Sequence, residues 1–397
     1  MGSRVSFRAA AAIAVVLSLA ALTPIDSPSA TPEFGQPLAG LPSDLLDRFN
    51  AGKSEFEQVE TVDEGIGPVF NDVSCANCHN VAATGGGSAI LETRFGTMGD
   101  DGKFDPLSQF GGSLIQKQGI GAAGNCEYLA EVVPSQATIV AGRRTTPLFG
   151  LGLVDATPDS TFYALAFAER FNPDGIAGTV SVVRNLVTGK NAVGKFGWKD
   201  QNPTLFQFSA DAYLNEMGIT SPLFPNENCP QGDCASLSCN PDPGINDPDG
   251  EDVQKFADFM TFLAPPPRGP ITTQVGLGQL VFHNAGCVGC HTPTLTTGSN
   301  PVAALNRVNY HPYSDFLLHD MGSLGDGITQ NNATGKLMRT APLWGVRRTT
   351  AYLHDGRAAT LDAAILAHDG QAKKARDRYA SLSSSQKAWL IAFLNSL

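Results

Sequence analysis

Charged residues are scarce in this sequence, and long apolar runs are almost absent. Only 16% of the 397 residues are Asp, Glu, Lys or Arg, against roughly 25% in typical domains, which excludes a disordered solvating chain and a long coiled coil. The net charge of −11 argues against a nucleic-acid binder, which needs a basic face. Histidine is also rare, with seven residues, whereas hydrophobic residues make up 42% of the chain. The composition therefore predicts a folded protein with a sizeable core.

The longest apolar run lies near the N-terminus and has the features of a signal peptide. Arg4 and Arg8 precede an apolar stretch at residues 9–22, which is too short to span a bilayer and suits a secretory segment. The small residues that follow predict cleavage after Ala30, with a retained membrane anchor as the alternative. We expect a periplasmic protein whose mature chain has no membrane span.

Two C-x-x-C-H motifs carry the chemistry of the sequence. Their members are Cys75, Cys78 and His79 in the first half, and Cys287, Cys290 and His291 in the second. This is the attachment motif of c-type haem, in which both thiols add to the porphyrin vinyl groups and the histidine becomes the proximal iron ligand. Zinc bound by the four cysteines, or a disulfide, is the alternative. Because each pair has its own adjacent histidine, the motifs predict two covalently bound haem c groups.

The other four cysteines have no histidine directly after them and attach no third haem. They are Cys126, Cys229, Cys234 and Cys239. An exported compartment favours disulfides, but four cysteines allow three pairings and the sequence does not choose among them. A redox-active thiol pair is the alternative.

An acidic stretch at residues 240–252 follows the cysteine-rich segment. Its carboxylates and carbonyls could bind Ca²⁺, although their spacing matches no EF-hand. A solvated loop is the competing interpretation, and we favour it.

The flanks of the two motifs form a diverged internal repeat. The strings RTTPLFGL at 144–151 and RTAPLWGV at 339–346 match, Phe70 and Phe282 each lie five residues before a motif, and Gln-Lys pairs at 254–255 and 386–387 begin similar closing segments. The repeat predicts haem domains at 31–265 and 270–397, joined by a stiff proline-rich linker. We expect a mainly α fold of two cytochrome c-like domains with long loops, the first carrying large insertions.

Several strings resemble the di-haem c-type oxidoreductase family, whose members are described as peroxidases or "thiol oxidoreductases". Among them are GIGPVFNDVSCANCH at 65–79, TPLFGLGLVDATPD at 146–159 and RTAPLWGVRRTTAYLHDGRAATLDAAILAHDGQA at 339–372. The resemblance covers nearly the whole mature chain, and the chain is more distantly similar to bacterial di-haem cytochrome c peroxidases. It implies electron transfer through two c-type haems without identifying the reaction.

The second haem has a predicted distal ligand in His368. Leu361, Ala364, Ile365 and His368 fall on one face of a helix that Thr360 would cap. In the resembling peroxidases a methionine ligand lies fourteen residues after the histidine of the HDG motif, and here that position is His368. The pattern predicts two histidine ligands; a packed core histidine, or ligation by His319 or Met321, is the alternative.

Basic and aromatic side chains near the repeat strings are candidates for the haem surroundings. Arg144, Arg339 and Arg357 suit the haem propionates, because a guanidinium binds a carboxylate with two hydrogen bonds. We expect His354 to hydrogen-bond a propionate or the backbone. Trp198 and Trp344 are candidate electron relays between the haems, with core packing as the more common fate of tryptophan.

The first haem has no equivalent distal histidine. His79 is the only histidine before residue 283, and the repeat places Pro173 where the second half has His368. Met98, Met217, Met260 or a histidine from the second domain could replace the missing ligand; otherwise the iron keeps an open position. Peroxide chemistry there needs an acid–base group, for which Asp155 and Glu169 are the candidates, with surface carboxylates as the alternative.

Together these features predict a periplasmic oxidoreductase that moves electrons between two haems and is peroxidase-like, with the first haem as the reactive site. A non-catalytic di-haem electron-transfer cytochrome, or a haem oxidase of protein or organic substrates, is the alternative. The expected partners are peroxide and a small electron-donor protein of cytochrome or cupredoxin type. The acidic balance of the chain favours a donor with a basic docking patch.

Overall fold

Ten helices make up much of residues 33–397, which are the residues that the computed structural model describes. The predicted signal peptide at 1–30 lies outside them. No helix within the described range is long and apolar enough to cross a membrane. The helices are α1 (Ser43–Glu57), α2 (Cys75–Cys78), α3 (Leu151–Asp155), α4 (Asp159–Glu169), α5 (Leu205–Met217), α6 (Glu251–Phe262), α7 (Thr273–Asn284), α8 (Leu361–Leu366), α9 (Lys373–Ala380) and α10 (Ser384–Leu394).

Fourteen short strands pair antiparallel between and beside these helices. They are β1 (Val69–Phe70), β2 (Leu91–Met98), β3 (Phe104–Asp105), β4 (Leu114–Ile115), β5 (Gln118–Gly119), β6 (Gly121–Ala123), β7 (Cys126–Tyr128), β8 (Ile139–Arg144), β9 (Val182–Asn185), β10 (Lys190–Val193), β11 (Leu295–Thr296), β12 (Asn309–Tyr310), β13 (Leu318–Asp320) and β14 (Leu337–Arg339). The longest pairing joins β2 to β8, from Leu91 opposite Arg144 to Gly96 opposite Ile139.

The fold is a mixture of helices and small sheets, so the prediction of a mainly α protein was too narrow. Helix accounts for 35% and strand for 16% of the structure. The longest strands, β2 and β8, lie between the first C-x-x-C-H motif and α3. Strand pairing between distant segments is set by packing and burial more than by local propensity, which is why the helix-based repeat did not reveal it.

An opening helix packs against a closing helix in both halves of the chain. In the first half α1 packs on α6, with the rings of Phe49 and Phe259 centred 5.4 Å apart. In the second half α7 packs on α10, with Phe282 and Phe393 centred 5.2 Å apart. The Gln-Lys pairs at 254–255 and 386–387 lie in α6 and α10, as the repeat indicated.

Glycine permits the close approach of each helix pair. A Cβ atom on Gly52 would lie 2.2 Å from the carbonyl oxygen of Lys255, and one on Gly278 would lie 1.9 Å from that of Trp389. The structure also corrects one detail of the repeat. Phe56 of α1, not Phe70, packs beside the histidine of the first motif as Phe282 does in the second, because residues 58–74 separate α1 from its motif.

Two apolar clusters form most of the core. The larger surrounds α1, α3, α5 and α6 and also takes side chains from the second half, including Phe316 and Trp344. The smaller lies between α7 and α10 and includes Leu361 of α8. Because the larger cluster draws on both halves, the boundary at 265–270 stays a prediction.

Two disulfides stabilise the cysteine-rich insertion. Cys126 of β7 is bonded to Cys239, and Cys229 to Cys234. In the acidic stretch, both oxygens of Asp247 accept hydrogen bonds from backbone N–H groups at the start of α6. Among the described residues, no cluster of metal-ligating side chains occurs at 240–252, and calcium there stays a prediction.

Candidate functional site

Two separate cavities each contain one C-x-x-C-H motif. The first is lined by Cys75, Cys78, His79, Trp198, Glu216 and Met217, among others. The second is lined by Cys287, Cys290, His291, Arg339, His354 and His368, among others. Both are partly open to solvent, and their walls are mainly apolar, as a haem-binding cavity requires.

The first motif presents a neutral imidazole nitrogen to its cavity. The single turn of α2 brings Cys75 and Cys78 to one side, and the backbone N–H of His79 donates to the Cys75 carbonyl at 2.9 Å. Nδ1 of His79 lies 3.0 Å from the carbonyl oxygen of Gly86. A carbonyl only accepts, so Nδ1 carries the proton and Nε2 keeps its lone pair. Burial lowers the pKa of His79 to about 4, and the ring is neutral at pH 7.

The second motif repeats this geometry. The backbone N–H of His291 donates to the Cys287 carbonyl at 2.9 Å, and its Nδ1 donates to the Tyr313 carbonyl at 2.9 Å. Burial lowers the pKa of His291 to about 4. Both motifs thus offer an unprotonated Nε2 to a metal, with the second nitrogen oriented by the backbone as metal-bound histidines usually are.

The four motif cysteines fit thioether attachment better than zinc binding. They are free, whereas the other four cysteines are paired. Burial raises the pKa of Cys75, Cys78 and Cys287 to about 12, so these thiols are neutral near pH 7. The two pairs also line different cavities, so they do not form one four-cysteine site.

His368 faces His291 across the second cavity. Thr360 caps α8, and Leu361, Ala364 and Ile365 line the cavity from one face of it, as the helical pattern predicted. The helix ends at Leu366, so His368 lines the cavity from just beyond the helix and not from within it. The Nδ1 of His368 donates to the Ala364 carbonyl at 2.8 Å, which leaves Nε2 free. The two imidazole rings are centred 6.5 Å apart. A metal held by two imidazole nitrogens at ~2 Å each needs ring centres about this far apart.

The alternative ligand His319 has no free nitrogen. Its Nε2 lies 3.0 Å from a carboxylate oxygen of Asp315, and its Nδ1 lies 2.8 Å from Oε1 of Gln371. Both partners are acceptors, so both nitrogens donate and the buried ring is an imidazolium. Burial opposes this charge by lowering the pKa, but the carboxylate of Asp315 outweighs burial and raises the pKa of His319 above its usual value. Met321 also lines the second cavity.

The first cavity contains no second histidine among the described residues. Of its candidate methionines, Met217 and Met260 line the cavity, and the Sδ of Met217 lies 3.8 Å from the Sγ of Cys75. Met98 is half exposed and lies elsewhere. Pro173 contacts Lys374 of α9 and does not line the cavity.

Two of the three candidate arginines line a cavity. Arg339 is buried in the second cavity; its Nε lies 3.4 Å from the buried carboxylate of Asp200, and its Nη1 has no hydrogen-bond partner within residues 33–397. An unpaired buried donor is costly, and a haem propionate is a group that would satisfy it. Arg144 lines both cavities. The guanidinium of Arg357 pairs with Asp355 at the surface and lies outside the cavity lining, so its role at a propionate stays a prediction.

Trp198 lies between the two cavities and lines both of them. Its indole N–H donates to the Arg144 carbonyl at 2.9 Å, and its ring packs edge-on against His354 at 6.2 Å. The backbone carbonyl of His354 accepts from the N–H of Arg144 at 2.6 Å. Trp344 lines the second cavity and belongs to the larger core cluster.

The structure does not bring Asp155 or Glu169 to the first cavity. Asp155 accepts a hydrogen bond from the N–H of Leu205 at the start of α5, and burial raises its pKa to about 6. Glu169 lies 3.9 Å from His319, and burial raises its pKa to about 7. Both follow the Arg144 string in sequence, but α3 and α4 carry them away from the C-x-x-C-H motif.

Other carboxylates line the first cavity instead. Glu92 of β2 pairs with Arg94 at 3.0 Å, and Glu216 of α5 accepts from the side-chain amide of Asn71 at 2.7 Å. Burial, reinforced by Glu92, raises the pKa of Glu216 to about 7. Sequence analysis did not select Glu92 or Glu216, because Glu92 lies before the Arg144 string and Glu216 lies far beyond it. The only local signal for Glu216 was its place at the polar end of an otherwise apolar helix at 205–217.

Comparison with known proteins identifies the family. Residues 127–397 match the family described as "Di-haem oxidoreductase, putative peroxidase"; no curated protein matches. The chain is similar to a solved MauG-like protein associated with microbial copper homeostasis, at 16% identity over 94% of this chain and 95% of that chain, with a TM-score of 0.41. It is also similar to the diheme peroxidase BthA from Burkholderia thailandensis E264, at 13% identity over 88% of this chain and 86% of that chain, with a TM-score of 0.39.

Proposed function

The chain belongs to the di-haem oxidoreductase family, and from this premise we propose that it is a periplasmic, peroxidase-type enzyme that reduces peroxide in its first cavity. The observation that carries the proposal is the asymmetry of the two cavities. The second holds two histidines with free Nε2 atoms, 6.5 Å between ring centres, whereas the first holds His79 alone among the described residues. A small oxidant needs an open coordination position, and the first cavity would leave one unless Met217 or Met260, which also line it, binds the iron.

The chain would hold one haem c in each cavity. Cys75 and Cys78 would bind the first, with His79 as its iron ligand; Cys287 and Cys290 would bind the second, between His291 and His368. Arg144 and Arg339 would bind propionates, since both line a cavity. When bound, the haems supply the one-electron redox chemistry of the reaction.

Glu216 is the acid–base group that we assign to the first cavity. Its Oε2 accepts from Asn71, which orients the carboxylate, and a pKa of about 7 lets it both accept and return a proton near neutral pH. We infer that Glu216 takes a proton from the incoming peroxide. The neighbouring Arg94 adds a positive charge to the same wall of the cavity.

Trp198 would mediate electron exchange between the cavities, because it lines both and its indole is fixed by the Arg144 carbonyl. A small cytochrome or cupredoxin would supply the electrons. A purely electron-transferring cytochrome, or a haem oxidase of organic substrates, is the competing function.

The spectra of the purified ferric protein test the proposal. We expect one low-spin iron and one high-spin iron by paramagnetic resonance, and a change of the high-spin signal on adding peroxide. A variant with Cys287→Ala and Cys290→Ala, which keeps only the first haem, should bind cyanide or carbon monoxide. Two low-spin irons that are inert to peroxide would instead identify an electron-transfer cytochrome.

Replacing His368 by alanine should convert the low-spin iron to high spin, because the Nε2 that faces His291 is lost. His354→Ala is the matched control: His354 lines the same cavity, but it does not pack on His291, and the iron should stay low-spin. Electron paramagnetic resonance distinguishes the two variants. A low-spin signal that persists in His368→Ala would transfer the ligand role to Met321.

Glu216→Gln should lower kcat/KM for peroxide by about 100-fold, the lower range for loss of an acid–base group. The ionised carboxylate is the base, so the activity of the unmodified protein should rise with pH through about 7, and the variant should lose this rise. Asp155→Asn is the control, because Asp155 is buried but lies off the cavity. Equal pH profiles for Glu216→Gln and the unmodified enzyme would exclude this role.

A further inference from the structure

Helix α4 and the turn that follows it expose three large aromatic side chains. Tyr163, Phe167 and Phe171, four residues apart, have 50%, 60% and 73% of their surface exposed. The opposite side of the helix is anchored in the core by Phe162, which is fully buried. Single exposed apolar residues are common, but a contiguous line of them is typical of an interaction surface. We call Tyr163, Phe167 and Phe171 the aromatic stripe.

The stripe leads to the attachment segment of the second cavity. The residue after Phe171 is Asn172, and a Cβ atom built on Gly289, inside the second C-x-x-C-H motif, would lie 3.1 Å from the Asn172 side-chain amide. A Cβ there would also lie 2.5 Å from Ile176, which itself lines the second cavity. A molecule bound to the stripe would therefore lie beside the second motif.

Two cations without ion-pair partners lie at the Phe171 end of the stripe. Arg170 lies 6.0 Å from the ring centre of Phe167, and Nζ of Lys374 reaches the carbonyl of Pro173 at 3.3 Å. Neither forms an ion pair within residues 33–397, whereas the nearby Asp174 is neutralised by Arg378. The whole chain carries a net charge of −11, so the positive charge of this region is opposite in sign to the net charge of the protein.

We propose that the aromatic stripe, with Arg170 and Lys374, is the docking surface for a small electron-carrier protein whose apolar contact face has an acidic rim. This inference rests on the proposed function, in which the second haem receives electrons. Each docking event would pass one electron: the carrier is oxidised by one electron and this protein is reduced by one. Such redox contacts are small and short-lived, and a few aromatic and arginine side chains suffice to anchor them.

Charge distinguishes this occupant from a carrier with a basic patch. The net charge of the chain alone favoured a donor with a basic patch, but the cations at the stripe would repel it, whereas an acidic carrier meets no such repulsion. A second copy of the chain docked by two-fold symmetry would place the same stripe against itself, and ultracentrifugation tests that occupant separately.

Binding of two probe proteins to the oxidised full-length protein tests the proposal. The probes are a reduced acidic cupredoxin and a reduced basic mitochondrial-type cytochrome c, titrated by calorimetry at low ionic strength. The stripe variant carries Tyr163→Ser, Phe167→Ser and Phe171→Ser; the charge variant carries Arg170→Glu and Lys374→Glu. The control carries Leu129→Ser and Val132→Ser, two residues equally exposed at 64% and 66% that line neither cavity.

We expect the acidic probe to bind the unmodified protein more tightly than the basic probe does. The stripe and charge variants should each raise its Kd by about tenfold or more, as loss of a central anchor does, while the control stays within about twofold. Added salt should weaken binding to the unmodified protein but not to the charge variant. Reduction by ascorbate, which needs no docking surface, should be equal in all four proteins and shows that the variants are folded.

Three results would overturn the docking site: tighter binding of the basic probe, an unchanged Kd in the stripe variant, or a dimer in ultracentrifugation that the stripe variant dissociates. Binding of the stripe to anionic vesicles in place of the acidic probe would also overturn it. The proposed function can fail separately. If the protein is inert to peroxide but its stripe still binds and accepts electrons from the acidic probe, the docking site stands and the peroxidase assignment does not.

Discussion

Replacing both cysteines of either C-x-x-C-H motif by alanine is expected to halve the covalently bound haem. Cys75 and Cys78 line the first cavity, and Cys287 and Cys290 line the second, so each pair should lose only its own haem. The measurement is haem absorbance per chain after denaturation and extraction, which removes any haem that is not covalently bound. Replacing all four cysteines should leave none.

The matched control for this experiment is Cys229→Ser with Cys234→Ser. These residues form a disulfide in the insertion and line neither cavity, so both haems should remain attached. Retention of two covalent haems in either motif variant would contradict the assignment of that motif. Loss of both haems from one motif variant would show that the cavities do not form independently.

Asp326→Asn is expected to destabilise the protein by about 3–5 kcal/mol, the cost of breaking a buried ion pair. Asp326 lies between Arg143, at 2.7 Å, and Lys199, at 2.9 Å, and all three side chains are essentially inaccessible. Burial works to raise the pKa of Asp326, but the two cations hold it below its usual value. Without the carboxylate, two cations would be buried with too little negative charge.

The destabilisation is measured as the free energy of unfolding in denaturant. The control is Asp377→Asn, which breaks the exposed pair with Lys373 on α9; exposed pairs contribute roughly 0–1 kcal/mol. Since the net stability of a domain is about 5–15 kcal/mol, the first variant should lose a large share of it and the second almost none. Equal unfolding midpoints for the two variants would show that the buried triad contributes little.

Features encoded within a few adjacent residues could be predicted from the sequence. In both motifs the spacing of the two thiols and the adjacent histidine can be read directly from the chain. In the structure both motifs also form the same backbone hydrogen bond, from the N–H of the histidine to the carbonyl of the first cysteine. The face of α8 that lines the second cavity was predictable for a similar reason: helical periodicity places residues three and four apart on one side. The helix itself ends at Leu366, two residues before His368. The histidine count left His79 alone in the first half, but only the fold showed that, among residues 33–397, no histidine of the second half lines the first cavity.

Features that depend on distant segments could not be predicted in this way. The disulfide from Cys126 to Cys239 spans 113 residues, and the pairing of β2 with β8 joins strands on either side of a long insertion. Asp155 and Glu169 were chosen for their closeness in sequence to Arg144, yet Glu216, far from that string, lines the first cavity. Sequence distance is a poor guide here because long loops close at little extra entropic cost.

By itself the sequence determined which atoms can react: two thiol pairs, each with an adjacent histidine, and one further histidine at the end of an apolar helical face. Only the tertiary structure decided what surrounds them. In the structure both nitrogens of His319 are hydrogen-bonded, Nη1 of Arg339 has no hydrogen-bond partner within residues 33–397, and Trp198 lines both cavities. The physical reason is that covalent attachment needs only neighbours along the chain, whereas hydrogen-bond pairing, burial and pKa shifts depend on neighbours in space.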